Sequence, residues 1–289
     1  MIFYYDNKYN IKLFLDRCYI MTKFTISISE LKSLYYENSD DLLVIDTRPY
    51  SDYTLGHLPN AVNIDLGQFH WIDTSKEGLY QFNKQMRILL SNIGVTKNKF
   101  VIFYDNISGM FSARGVWLLI YFSHNKTAML DGGFNNWKKE GLDIETKNNP
   151  FIHSCFEGRP NPKVLADFGY IRSKIKKKSN NNVLILDTRS KSEYDGSEVR
   201  AAKAGHIPSS INIDWSNNTE KNGFFKEDTE LEKIYSCVSK DKEIITYCHG
   251  GYRAANTFIV LRNLGYNNVR MYLSSWGEWG NKMDLPVER

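Results

Sequence analysis

Chemistry concentrates in one hexapeptide, Cys248-His249-Gly250-Gly251-Tyr252-Arg253, where a sulfur nucleophile precedes two glycines and a guanidinium. Paired glycines let a backbone curl until several N–H groups point inward, and a helix beginning near Ala254 adds partial positive charge to the same spot. An ordinary thiol is only a few per cent ionised at neutral pH. A helix end contributes up to about 2 kcal/mol toward an anion, and a nearby arginine and loop amides add to it. Cys248 is therefore expected to be an activated nucleophile, with His249, Gly250, Gly251, Tyr252 and Arg253 holding the substrate around it. The competing reading, a small hydrophobe at a strand end, needs neither the Gly-Gly turn nor the arginine. Cys18, Cys155 and Cys237 lack such surroundings and read as structural. With no CxxC pair and no histidine at zinc-finger spacing, neither a metal site nor a disulfide framework is expected, and a reducing compartment, the cytoplasm, fits.

The elements that must position the cysteine are legible on both sides of it. The apolar run Glu243-Ile244-Ile245-Thr246-Tyr247 predicts a strand. From Ala254 to Leu264, Ala255, Phe258, Ile259 and Leu261 or Leu264 recur at helical spacing. The whole chain, moreover, reads twice. Leu42-Leu43-Val44-Ile45 ends in Asp46-Thr47-Arg48, followed by Gly56-His57-Leu58-Pro59 and Asn63-Ile64-Asp65. Val183-Leu184-Ile185-Leu186 ends in Asp187-Thr188-Arg189, followed by Gly205-His206-Ile207-Pro208 and Asn212-Ile213-Asp214. The step from Asp to Gly-His is 18 residues in the second copy against 10 in the first, which places an insertion around Gly196 to Lys203. Phe100 to Asp105 then matches Glu243 to Cys248, and Leu130 to Trp137 matches Leu273 to Trp279. What both copies share reads as fold; what one copy alone carries is the candidate chemistry. The difference falls on the loop after the strand, where the first copy has Asp105 and a longer segment reaching Arg114. That half is expected only to wall the other half's site, through Phe111 or Trp117, whereas the shared His57 and His206 read as turn residues.

Continuous apolar runs alternating with amphipathic stretches predict an α/β fold: two tandem domains, each a mostly parallel sheet flanked by helices. The expected division is an N-terminal extension over 1–24, a first domain over 25–145, a Pro/Asn-rich linker over 146–162 and a catalytic domain over 163–289. Met21 competes with Met1 as the start, and no apolar leader core is seen in the first twenty residues. The 289 residues suffice for two buried cores, at 42% hydrophobic and 24% charged. No apolar run approaches the roughly 20 residues that span a bilayer. Lys plus Arg at 37 against Asp plus Glu at 33 leaves a net charge of only +4, so neither a nucleic-acid nor a membrane partner is expected. The one basic run, Lys174 to Lys178 beside Asn180 to Asn182, reads as a solvated surface turn.

Taken together, Asp-Thr-Arg, Gly-His-Ile-Pro, the strand ending in Tyr-Cys and Ser275-Trp276-Gly277-Glu278-Trp279-Gly280 resemble the tandem-domain rhodanese family, the thiosulfate and 3-mercaptopyruvate sulfurtransferases. The resemblance runs from about Thr25 to Val287. It implies an inactive first domain, a catalytic second one, Cys248 as the sulfur-carrying nucleophile, Arg189 as a substrate-binding arginine and Ser275 as a serine near the sulfur. A shared Asp-x-Arg also pairs internally, since Arg48 occupies the matched place, and Ser275 competes as a helix cap. No cofactor is implied. The partners are a small anionic sulfur donor and a cyanide, thiol or protein acceptor.

The loop departs from two family patterns. Vertebrate-type thiosulfate enzymes carry a lysine where Gly250 stands, and mercaptopyruvate enzymes carry Gly-Ser-Gly in place of His249-Gly250-Gly251. The latter also use a second arginine where Glu193 stands, and a carboxylate there repels a carboxylate substrate. Thiosulfate is thus favoured over 3-mercaptopyruvate. The ending Tyr-Arg-Ala resembles the prokaryotic thiosulfate type, with Arg253 as the donor's counter-charge. A phosphatase of related fold needs five residues between Cys and Arg, and here four intervene. The remaining rival is a non-catalytic module that binds an anion or a sulfur carrier.

Overall fold

The computed structural model describes residues 23–37, 40–176 and 182–289. Cys18, both candidate start methionines and the end of the lysine run lie outside the described residues. The first half runs β1 (Thr25–Ile26), α1 (Ile28–Tyr36), β2 (Leu42–Asp46), α2 (Tyr50–Leu55), β3 (Val62–Asn63), α3 (Lys76–Asn92), β4 (Phe100–Tyr104), α4 (Met110–Tyr121), β5 (Thr127–Leu130) and α5 (Gly133–Lys139). The second repeats the plan with β6 (Leu165–Ala166), α6 (Phe168–Lys176), β7 (Val183–Asp187), α7 (Lys191–Asp195), β8 (Ile211–Asn212), α8 (Asp228–Ile234), β9 (Glu243–Tyr247), α9 (Tyr252–Asn263), β10 (Val269–Tyr272) and α10 (Ser275–Trp279).

The expected α/β architecture is present. Two five-stranded sheets have the orders β1-β5-β4-β2-β3 and β6-β10-β9-β7-β8, with parallel pairing throughout. The central strands β4 and β9 are buried along their whole length, the pattern of strands covered on both faces. Register repeats too. Asp46 pairs with Tyr104 and Asn63, as Asp187 does with Tyr247 and Asn212. The loop bearing Cys248 therefore leaves the carboxyl end of the middle strand, where open parallel sheets hold their ligands.

The two sheets share a core. Helices α4 and α9 pack against each other across the halves, and one apolar cluster takes in Trp117 and Phe122 as well as Phe258 and Ile259. Residues 146–162 carry no helix or strand. The basic run is not a surface turn at its start: Lys174 lies in α6, with Nζ 3.3 Å from Glu243 Oε2, because its stem continues a helix whose buried side includes Ile171. No helix among the described residues is long and apolar enough to cross a membrane.

Candidate active site

Cys248 is the first residue beyond β9, and only 1% of its surface is exposed. Its pocket is nonetheless polar. Gly251, in the left-handed region at φ +84°, caps α9 and donates its N–H to Cys248 Sγ at 3.1 Å. That conformation needs glycine. A Cβ on Gly251 would also lie 2.3 Å from the Leu273 carbonyl oxygen, and one on Gly250 would lie 2.0 Å from His70 Cε1. The first approach is to backbone, which cannot yield, and the second to an exposed side chain, which can. The loop is tied down from below by α10: Trp276 and Gly277 donate their N–H groups to the Cys248 and His249 carbonyls at 3.0 and 2.8 Å.

Charge around the sulfur is unevenly matched. Arg253 faces Cys248 and also forms a two-pronged pair with the buried Glu193, Nη1 to Oε2 at 2.5 Å and Nη2 to Oε1 at 2.9 Å. Against the penalty of its own burial, this pairing holds the Glu193 carboxyl down at about 2. Arg253 is therefore a paired cation, shared between the Glu193 carboxylate and the Cys248 sulfur. Glu193 is placed by a capping box with Ser190 at the start of α7, and Arg200, on the inserted segment, reaches it at 3.6 Å. Burial, aided by Arg200, lowers the His249 imidazole to about 4, and its Nδ1 lies buried without a hydrogen-bond partner.

Two residues from the first half complete the surroundings, and neither was among the expected site residues. His70 lies over the loop, its ring 6.3 Å from that of His249 and 6.1 Å from that of Tyr252. Arg114 lies behind the loop, its guanidinium 5.5 Å from the Tyr252 ring. A signal for Arg114 existed in the sequence, a single charge inside the apolar stretch Ala113 to Ile120. Nothing local marks His70. Of the two expected wall residues, Phe111 meets Tyr252 edge-on at 5.4 Å, whereas Trp117 is fully buried core.

Arg189 and Ser275 lie where the sequence places them, but their hydrogen bonds run elsewhere. Arg189 donates to Asp187 from Nε and Nη2 and to the Gly205 carbonyl at 2.9 Å. Arg48 does the same with Asp46 and the Gly56 carbonyl at 2.7 Å. An arrangement duplicated in the half without a nucleophile belongs to the fold. The histidines follow suit: His57 stacks on Tyr53 at 3.8 Å and His206 on Tyr194 at 3.7 Å. Ser275 neither donates to the sulfur nor caps a helix. Its Oγ accepts the Cys248 N–H at 3.1 Å and donates to the Tyr272 carbonyl at 2.8 Å, which fixes the backbone beneath the thiol.

The arrangement offers a sulfur anion an N–H donor and guanidinium charge at a side chain almost wholly buried. The Rhodanese-like domain family model matches residues 27–140 and again 172–282. A thiosulfate sulfurtransferase of Pseudomonas aeruginosa is 29% identical over 255 residues, covering 86% of this chain and 91% of that protein. The sulfur carrier protein TtuD of Thermus thermophilus is 27% identical over 266 residues, covering 88% and 90%. Among solved structures, an EanB variant bearing a cysteine persulfide with ergothioneine superposes with a TM-score of 0.79 at 19% identity, over 92% of this chain and 70% of that one, a likeness of fold. With its repeated sheet, its paired Asp-x-Arg braces and a family model matched in each half, this chain belongs to the rhodanese family.

Proposed function

We propose that this protein transfers a sulfane sulfur from thiosulfate through a persulfide on Cys248. The Cys248 thiolate attacks the outer sulfur of thiosulfate; a new S–S bond forms as the old one breaks, and the bonding electrons leave with sulfite. An acceptor nucleophile then attacks the outer persulfide sulfur, forming thiocyanate if it is cyanide, and the Cys248 thiolate returns. The observation that carries this reading is the Gly251 N–H aimed at Sγ at 3.1 Å, a donor in place before any charge arrives. The pocket's closure favours a small terminal sulfur over a bulky donor, and Glu193 beside Arg253 disfavours a carboxylate donor such as 3-mercaptopyruvate. A relative named as a sulfur carrier supports a thiol or carrier protein as the acceptor.

Thiosulfate treatment should add one sulfur, about 32 Da, to the intact chain, and cyanide should remove it as thiocyanate. Cys248→Ala should lose both, lowering turnover by at least about a thousandfold, while Cys237→Ala, at an exposed thiol, keeps them. Turnover surviving in Cys248→Ala removes the nucleophile assignment. A higher kcat/KM for 3-mercaptopyruvate than for thiosulfate removes the donor assignment.

A further inference from the structure

Burying a cation without a carboxylate partner is costly unless some other anion answers it. Arg114 is such a cation. It is 5% exposed, and among the described residues no carboxylate pairs with it; Nη1 reaches Met271 Sδ at 3.9 Å. Burial lowers it to about 10, which leaves it charged at neutral pH. Nη1 would lie only 3.0 Å from a Cβ on Gly251, so the guanidinium rests against the residue whose N–H donates to Cys248 Sγ.

The groups able to answer that charge are few. Tyr252 and Cys248 face it, and the Trp117 ring, 4.7 Å away, offers a neutral π face that carries no charge. The Tyr252 phenol is raised above its ordinary range by burial and donates its O–H to the Leu66 carbonyl at 3.0 Å, so it is no anion at neutral pH. The other titratable groups around the loop are Arg253 and Glu193, which neutralise each other, with Arg200, His249 and His70, and Asp65, whose carboxylate faces Tyr252 and accepts the Gly67 N–H at 3.0 Å. Of the groups that face Arg114 itself, only the sulfur of Cys248 can carry the anion.

We propose that Arg114, donated by the half that has no nucleophile, is the positioning residue whose charge holds the Cys248 sulfur as an anion, first as thiolate and then as persulfide. The persulfide part rests on the sulfurtransferase reading; the thiolate part does not. The helices make the exchange reciprocal. Arg114 and Asn256 hold the same place, four residues into α4 and α9, and Asn256 donates to the Ser108 and Gly109 carbonyls of the first half's loop at 3.0 and 3.3 Å. Each half thus supports the other's loop, but only one support carries charge.

The test is the rate of Cys248 alkylation by iodoacetamide across pH 5 to 9, read by peptide mass on the full chain, in wild type, Arg114→Gln and Arg114→Lys. Arg114→Gln should slow alkylation at pH 7 about tenfold and displace the profile to higher pH, with Arg114→Lys within about threefold of wild type. A folded Arg114→Gln with the wild-type profile overturns the proposal, as does an Arg114→Lys no faster than Arg114→Gln. If circular dichroism shows Arg114→Gln unfolded, Arg114→Lys decides: a profile unchanged from wild type supports the charge role, and a displaced one overturns it. Alkylation needs no sulfur donor, so failure of thiosulfate to load wild-type Cys248 counts against the sulfurtransferase reading alone.

Discussion

The two loops that follow the central strands start from the same geometry and end with opposite occupants. After β4 the pocket is filled by the chain itself: Asp105, at the place of Cys248, accepts the N–H groups of Asn106 at 2.9 Å and Phe111 at 3.2 Å. After β9 a shorter loop turns through Gly251 and presents its N–H to a sulfur. Both pockets favour an anion at a helix N-terminus, and both sit on the same Asp-x-Arg brace. The anion pocket is therefore a property of the fold. What distinguishes the second pocket is its occupant, a sulfur, and the Arg114 guanidinium that rests against its loop.

The contrast breaks most severely at the turn. Gly251→Ala puts a Cβ 2.3 Å from a backbone oxygen at φ +84°, so the backbone must move and the N–H leaves the sulfur. Turnover should fall about a hundredfold, the scale of losing one anion-stabilising donor. Gly250→Ala meets a side chain instead, the exposed His70, which can swing aside, and its loss should be several-fold smaller. Comparing kcat for the two variants with their melting temperatures checks this. Equal losses would mean that the loop tolerates no change at all, rather than depending on one N–H.

Much of this contrast was legible in the chain. Repetition exposed the fold because each copy must build the same parallel sheet, and Asp105 against Cys248 stood out by simple alignment of the halves. The loop's partners were legible only where they are local. Glu193 appeared in the sequence as a deterrent to carboxylates; its pairing with Arg253 across the site depends on a tertiary approach that spacing does not encode. Arg114 and His70 belong to the other half, so their role arises from the packing of α4 against α9 and from a loop draped over the cleft. Ser275 shows the converse. Its position was readable, but which of its hydrogen bonds forms was set by a backbone at φ +54°.

Removing the first loop's occupant should affect stability and spare chemistry. Asp105→Ala leaves the Asn106 and Phe111 N–H groups without their acceptor, at about 1–2 kcal/mol, the range for a lost N-terminal cap. Chemical denaturation should report that loss while sulfur transfer stays within about twofold. A collapse of turnover at unchanged stability would show that the first loop's occupant takes part in the second's reaction, and the comparison would break.

The smallest effect concerns the imidazole inside the second loop. His249 is held near 4 instead of the ordinary 6.5, so the folded chain keeps it neutral where the unfolded chain would bind a proton. Unfolding then takes up a proton between those values, and stability falls as pH drops from about 6.5 toward 4. His70 is lowered as well, by burial and by Arg114. His249 should therefore contribute no imidazole limb to the turnover profile between pH 6 and 8, and His249→Asn should change kcat by less than about threefold. The same substitution should flatten the acid side of the stability curve, which thermal melts at pH 5 and 7 measure. An imidazole limb that disappears in His249→Asn would place a proton transfer inside the loop, and the second pocket would then differ from the first by a base as well as by a sulfur.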